Sequence, residues 1–196
     1  MLEAARALRP PLRAASYEAL FGLLAVTGMR VGEAVALESG DVDLEGALIT
    51  IREHTAKLEC ARLVPLHATT VAALERYVAA RRRLCPSPRA NTFFVSAAGT
   101  RIDRSAVSKT LRGITTALGL RTEAVRPRAH DLRHSFAVST LVGWQRAGVR
   151  IDEQIAALST YLGHASPADT YWYLSATPEL MEAAAERLEL RFGGQS

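Results

Sequence analysis

The chain has 196 residues, of which 48% are hydrophobic and 22% are charged, a balance typical of a soluble globular protein and unlike a disordered one. The 24 Lys and Arg residues exceed the 20 Asp and Glu residues, and the resulting net charge of +4 permits a nucleic-acid partner without requiring one. The 2 cysteines lie far apart and form no CxxC pair, so they indicate neither a disulfide framework nor a zinc signature. No signal-peptide pattern or membrane-spanning apolar stretch occurs, so we expect a cytoplasmic protein with no membrane partner.

The first part of the chain is predicted to be helical. Leu2–Leu8 has a short helical pattern that ends at two prolines, and a second helix is expected to open at Ser16. Gly28 interrupts this second helix, and Val31–Leu37 continues as a third. Arg30 is therefore predicted to lie at a helix–turn–helix junction.

Three short segments are predicted to be strands. Ala47–Arg52 and Ala61–Leu66 alternate and are rich in β-branched residues, so they are expected to pair as antiparallel strands joined by a loop that contains Lys57. A helix is expected over Thr69–Arg83, and Phe93–Ser96 is the predicted third strand. The expected fold is mainly α with a small three-stranded antiparallel sheet.

The second half of the chain is predicted to be helical, and residues 1–196 are expected to form a single domain. A helix over Ser105–Leu118 is expected to begin at a serine cap. An arginine-rich loop, Arg121–Arg128, then leads into a long helix over Ala129–Ala147. Further helices are predicted over Ile151–Leu162 and Pro178–Phe192; the latter has an apolar stripe that either covers the chain's own core or exchanges between molecules.

Several side chains suited to phosphate chemistry stand in short, distinctive sequence frames. A phosphodiester anion repels nucleophiles, and its transition state places additional negative charge on the non-bridging oxygens. Guanidinium groups can stabilise that charge without a metal ion, because their forked geometry matches the oxygens. The candidate residues are Arg30 in TGMRVGE, Lys57 in KLECARLVPL, His130 and Arg133 in HDLRH, His164 in YLGHA and Tyr173 in TYWYL.

The spacing within these frames suggests how the groups could cooperate. His130 and Arg133 are one helical turn apart, so they share a helix face and can address one phosphate together. Tyrosine is a weak nucleophile at neutral pH because its pKa is about 10. It becomes effective when arginines stabilise the phenolate and a histidine accepts the proton. If TYWYL is helical, Tyr171 and Tyr173 point in different directions and cannot replace each other.

Taken together, these frames resemble the catalytic domain of the tyrosine recombinases, the lambda-integrase, phage-integrase or Xer-type family. The resemblance covers about residues 16–190. It implies a site-specific recombinase or integrase, of the kind that mobile elements carry, which breaks and rejoins double-stranded DNA through a 3′-phosphotyrosine intermediate. It also implies catalysis with no metal and no other cofactor, four protomers assembled on DNA, and a cytoplasmic, nucleoid-associated location.

The resemblance also implies a role for each candidate residue. Arg30 and Arg133 would hold the phosphate with the histidines, and Lys57 would protonate the leaving 5′-oxygen. The family's nucleophile stands nine residues after the histidine of LGH, which selects Tyr173. Glu33 occupies a position where the family commonly has an acidic residue, and we expect it to orient Arg30 or a neighbouring histidine.

Two departures from the family pattern are expected to matter. Many relatives have a further basic residue where this chain has Cys60, so a secondary phosphate contact is expected to be missing. Relatives also precede the catalytic domain with a helical core-binding domain, whereas only a short segment precedes the matching residues here. We therefore expect the chain to be an excised catalytic domain or a truncated member.

Other functions remain open from the residues alone. His130 and His134 have the HxxxH spacing of a helical zinc site, with His164 available as a third ligand. A type IB topoisomerase uses the same chemistry without strand exchange. A DNA-binding remnant without activity is a further alternative, although intact candidate residues argue against it. Each arginine or glutamate alone could also be an ordinary surface residue.

Overall fold

The fold is known from a computed structural model, which describes residues 1–53, 61–163 and 170. The chain divides into two compact units, Met1–Arg133 and His134–Ser196. Among the described helices, none has the length and apolar character needed to cross a bilayer. The predictions for Lys57, Cys60, His164, Tyr171, Tyr173 and Pro178–Phe192 fall outside the described residues.

Helices make up most of the described structure, and their bounds follow the sequence pattern closely. Helices precede and follow one small three-stranded sheet along the chain, which confirms the expected fold class. The helices are α1 (Leu2–Arg6), α2 (Pro11–Thr27), α3 (Val31–Ala36), α4 (Ala68–Leu84), α5 (Arg104–Ala117), α6 (Ala129–Arg146) and α7 (Ile151–Leu162).

The prediction that the second helix opens at Ser16 was wrong. α2 begins at Pro11, a favourable first position because proline lacks the N–H that would be unpaired there and has a backbone φ suited to a helix. Ser16 is buried inside the helix, and its hydroxyl donates to the Val95 carbonyl at 2.7 Å. The predicted end was correct: Gly28 follows Thr27 with a φ of 63°, a left-handed conformation that glycine adopts without strain.

The sheet consists of β1 (Val42–Asp43), β2 (Leu48–Ile51) and β3 (Arg62–Pro65), in that order and antiparallel throughout. β2 and β3 confirm the predicted pair, with Ile49 opposite Val64. Both of these residues are buried, so one face of the hairpin packs into the core.

The predicted third strand, Phe93–Ser96, was wrong, because β1 occupies the third place in the sheet. The backbone of this segment bonds to separate partners instead of a continuous strand ladder. The Phe93 N–H donates to the Leu37 carbonyl at 2.7 Å, and Val95 forms an isolated antiparallel bridge with Arg101. The Tyr77 hydroxyl donates to the Phe93 carbonyl at 3.0 Å and accepts from the Val95 N–H at 3.1 Å. Tyr77 also packs with Phe93 and Phe94, with ring centroids 5.6 and 5.2 Å away, which fixes α4 against this segment.

α5 begins one residue earlier than predicted, and its cap is not Ser105. Asp103 is the cap residue, and its side chain accepts a hydrogen bond from the Ser105 N–H at 2.6 Å. The apolar face of the helix, which includes Val107 and Leu111, is buried in the first unit. Its opposite face is polar and exposed, and Arg112 lies there near the C-terminal end.

The described part of the second unit is built from α7 and most of α6. Ala137 and Leu141 of α6 pack with Leu158 and Leu162 of α7 in one buried cluster. The predicted bounds of α7 were correct, and those of α6 differ by one residue.

Candidate active site

The turn between α2 and α3 presents Arg30. Arg30 stands immediately before the first residue of α3, where its own N–H has no partner inside the helix. Glu33 supplies that partner: its Oε2 accepts from the Arg30 N–H at 2.9 Å, and its Oε1 accepts from the Arg30 guanidinium at 3.0 Å. The Arg30 side chain is 20% exposed and that of Glu33 only 1%. A buried carboxylate thus fixes both the backbone and the side chain of a partly exposed arginine.

Arg62 of β3 binds the same carboxylate from the other side. Its two terminal nitrogens donate to Glu33 Oε1 at 3.1 Å and to Oε2 at 2.8 Å, a forked pair that holds the carboxylate plane. Burial alone would raise the pKa of Glu33, but the hydrogen bonds and charge of Arg62, followed by the bonds from Arg30, outweigh it and lower that pKa. Glu33 is therefore ionised at neutral pH.

Arg133 reaches the same turn from the start of α6. It is 2% exposed, and its guanidinium donates to the Gly28 carbonyl at 2.9 Å, across 105 positions of sequence. Because Gly28 lies two residues before Arg30, this bond connects the HDLRH frame to the TGMRVGE frame.

His130 lies one helical turn before Arg133, and its side chain is exposed. Partial desolvation lowers the pKa of His130, and the positive charges of Arg133, Arg30 and Arg128 lower it further, while Asp131 opposes them. The neutral form of the ring therefore predominates at pH 7. In that form it has one nitrogen that can accept a proton.

The structure brings together four of the predicted site residues, Arg30, His130 and Arg133 with the supporting residue Glu33. Lys57, His164 and Tyr173 lie outside the described residues, so their places in the site remain predictions.

Sequence reasoning assigned no role to Arg62, although a signal was present. Arg62 and Val64 are two positions apart on β3, so their side chains point to the same face of the strand. Val64 is buried on that face. An arginine on a buried strand face needs an anionic partner. Glu33, the acidic residue beside Arg30, is that partner.

Arg30, His130 and Arg133 can bind one anionic group and exchange a proton with it. The two guanidiniums are positioned by Glu33 and Gly28, so little rearrangement is needed when negative charge develops between them. The neutral imidazole beside them can accept a proton from an incoming hydroxyl. The described geometry thus suits stabilisation of a phosphoryl transition state.

Two recombinase structures are similar to this chain. The crystal structure of XerA recombinase covers 97% of this chain with a TM-score of 0.74 and 29% sequence identity, and the matched part is 61% of that chain. XerH recombinase, crystallised with a palindromic difH substrate as a post-cleavage complex, covers 96% of this chain with a TM-score of 0.71 and 27% identity, over 50% of that chain.

Sequence comparison identifies the family. The integrase/recombinase relative y4rB of Sinorhizobium fredii is 44% identical over 190 residues, which is 95% of this chain and 60% of the relative. XerD of Mycobacterium tuberculosis is 35% identical over 161 residues, which is 81% of this chain and 47% of XerD. The phage integrase family profile matches residues 2–179. The chain belongs to the phage integrase family, as the resemblance implied, and spans 60% or less of these curated relatives.

Proposed function

We propose that residues 1–196 form one catalytic domain of a site-specific DNA recombinase, which breaks and rejoins double-stranded DNA without a metal ion. The observation that carries the proposal is the bond from Arg133 to the Gly28 carbonyl, because it supports a single anion site built from the two arginine frames. The family assignment supports the same chemistry.

In the proposed reaction, the phenol oxygen of Tyr173 attacks the scissile phosphorus. The phenol proton passes to neutral His130, while Arg30 and Arg133 stabilise the non-bridging oxygens and His164 donates a further hydrogen bond. The bond from phosphorus to the 5′-oxygen breaks, and Lys57 protonates that oxygen to give a free 5′-hydroxyl. The 3′-phosphotyrosine ester conserves the energy of the broken phosphodiester bond. A new 5′-hydroxyl can therefore attack the phosphorus, release Tyr173 and rejoin the strand.

Double-stranded DNA is the proposed partner, and four protomers on two duplexes are the proposed assembly in a cytoplasmic, nucleoid-associated protein. XerH was crystallised with difH substrate both before and after cleavage, which supports a duplex partner for a relative of this fold. The paired guanidiniums support binding of a phosphodiester by this chain.

The test is formation of a covalent protein–DNA adduct in the presence of EDTA. A duplex that the chain binds is first selected from a randomised pool. Versions of this duplex are then made with a nick beside each candidate cleavage position. Cleavage next to a nick releases a short fragment that diffuses away, so the adduct accumulates. We expect an adduct that resists denaturing electrophoresis. Arg133→Ala should slow its formation by about a hundredfold or more, by analogy with the loss of a transition-state donor.

Arg146→Ala is the matched control, because Arg146 lies on the same helix and is exposed. It should leave the rate near the wild-type value. Absence of any adduct, or cleavage that requires added zinc or magnesium, would contradict the proposed function. A stoichiometric metal in the purified protein would favour the alternative of a zinc site at His130 and His134.

A further inference from the structure

A second concentration of positive charge lies beside the candidate active site. A cavity of about 450 Å³ opens between the exposed face of α5 and the loop that leads into α6. Its lining includes four arginines, Arg112 from the helix and Arg121, Arg126 and Arg128 from the loop. No acidic residue is among the described residues that line it. This group of four is called the arginine pocket below.

Among the described residues, the arginine pocket has one anionic neighbour, Asp131. The side chain of Arg128 is 83% exposed, and its guanidinium forms a loose ion pair with Asp131 at 4.0 Å. The same carboxylate accepts a hydrogen bond from the Arg128 backbone N–H at 2.7 Å. Arg121 donates a long bond of 3.5 Å to the Pro127 carbonyl, which braces the loop without removing charge. Four guanidiniums around one cavity repel each other, and a bound anion relieves that repulsion.

The arginine pocket adjoins the site that holds His130. Ala129 lines the pocket and directly precedes His130 in the chain, and the charge of Arg128 helps to lower the pKa of His130. An extended polyanion bound at Arg30 and Arg133 would therefore pass close to the pocket. Each strand of DNA carries one phosphate per ~3.4 Å of helix axis, so a neighbouring phosphate is available at short range.

We infer that the arginine pocket binds a backbone phosphodiester of the DNA strand, close to but distinct from the phosphate that is cleaved. The inference rests on the proposed function, since it takes the same DNA as ligand. Guanidinium forks match phosphate oxygens, and the pocket is open because Arg112, Arg126 and Arg128 are exposed, which suits a polymer passing across it. Such a contact positions the duplex and carries no base information.

The test combines a variant of the arginine pocket with DNA in which single phosphates are replaced by a neutral group. Arg112→Gln/Arg126→Gln removes two charges at exposed positions, so it should fold with an unchanged melting temperature. Arg83→Gln/Arg89→Gln is the matched control, because both residues are exposed and outside the pocket. Binding is measured with a duplex of mapped cleavage position, in which one phosphate at a time is replaced by a methylphosphonate.

With the wild-type chain, we expect one or two phosphates beside the cleaved one to be sensitive, with affinity falling several-fold on replacement. The pocket variant should bind unmodified DNA about tenfold or more weakly and show no further loss at those positions. Its plot of log affinity against log salt should flatten by about one unit per lost contact. The control variant should keep both the sensitivity and the slope.

Independent effects of the pocket variant and the methylphosphonates would overturn the inference. If the wild-type chain still forms the adduct in that case, the proposed function stands and only the pocket assignment fails. A wild-type chain that binds no duplex DNA would overturn both. Preferential loss of RNA binding in the pocket variant would also contradict a DNA ligand.

Discussion

The guanidinium of Arg62 binds both carboxylate oxygens of Glu33, at 3.1 and 2.8 Å, while the same carboxylate binds Arg30. One buried anion thus connects the hairpin strand β3 to the arginine at the start of α3. Lys57, the proposed general acid, precedes Arg62 by five residues in the same hairpin frame. The position of Arg30 therefore depends on a strand residue that does not itself face the cleaved phosphate in the proposed mechanism.

Arg62→Lys should slow adduct formation more than it weakens DNA binding. A lysine keeps the charge but has a single ammonium group, so it cannot hold both oxygens and Glu33 gains freedom to rotate. We expect a reduction of about tenfold or more in the single-turnover rate at saturating DNA, since 1.4 kcal/mol of lost positioning corresponds to tenfold.

Arg52→Lys is the control for that variant. Arg52 pairs with Asp41 at 2.7 Å and Glu38 at 3.1 Å, near the same sheet but with different carboxylates. Its substitution should leave the single-turnover rate near wild type. Equal rate losses in the two variants would mean that Arg62 acts only through general stability of the sheet.

Glu33→Gln should change how stability depends on pH. The pKa of Glu33 is lowered in the folded chain from an ordinary value of 4.5, so its charge stabilises the fold above that pH and the contribution is lost as pH falls through the folded pKa. The variant should lose about 3 kcal/mol at pH 7, because two arginines lose their buried anion. Urea unfolding at pH 7 and at pH 3 checks this. A destabilisation that does not shrink at the lower pH would contradict it.

The pKa of the His130 ring should lie below its ordinary value of 6.5. It should shift in opposite directions when a neighbouring positive charge and a neighbouring negative charge are removed. Arg128→Gln should raise it, because removal of a positive charge favours the imidazolium. Asp131→Asn should lower it further, because the carboxylate is the neighbour that favours protonation. An NMR titration of the ring in the free chain measures both shifts. Shifts of the same sign in the two variants would contradict the proposed environment of His130.

Lys57→Ala should block cleavage of ordinary DNA and be partly rescued by a 5′-bridging phosphorothiolate. Sulfur leaves without needing a proton, so a general acid is dispensable for that substrate. Single-turnover rates on the two substrates separate the roles. Equal defects on both would mean that Lys57 positions the phosphate and does not protonate the leaving oxygen.

The sequence predicted the elements whose signal is local. Gly28 ends α2 because a left-handed residue is needed there, and the alternation in β2 and β3 gave their pairing. Phe93–Ser96 has the composition of a strand, but its backbone partners include the Tyr77 hydroxyl and the Leu37 carbonyl, which are distant in sequence. No local pattern contains that information.

The same distinction applies to the candidate site. Arg30 and Arg133 were predicted from their frames, while the bond that joins them runs through the Gly28 carbonyl, a backbone atom with no sequence signature. The sequence predicts Ser105 as the cap of α5 although Asp103 fills that role, because serine and aspartate are both good cap residues and stand two positions apart. The contact between Arg62 and Glu33 spans 29 positions and depends on how the hairpin packs.

The identity of the nucleophile tests the proposed function most directly. Adduct formed on a nicked duplex is digested with protease and nuclease, and the modified peptide is sequenced by mass spectrometry. We expect a 3′-linked nucleotide on Tyr173, no adduct in Tyr173→Phe despite retained DNA binding, and a normal adduct in Tyr171→Phe. An adduct that persists in Tyr173→Phe, maps to Tyr171 or is joined to a 5′-phosphate would contradict the proposed function.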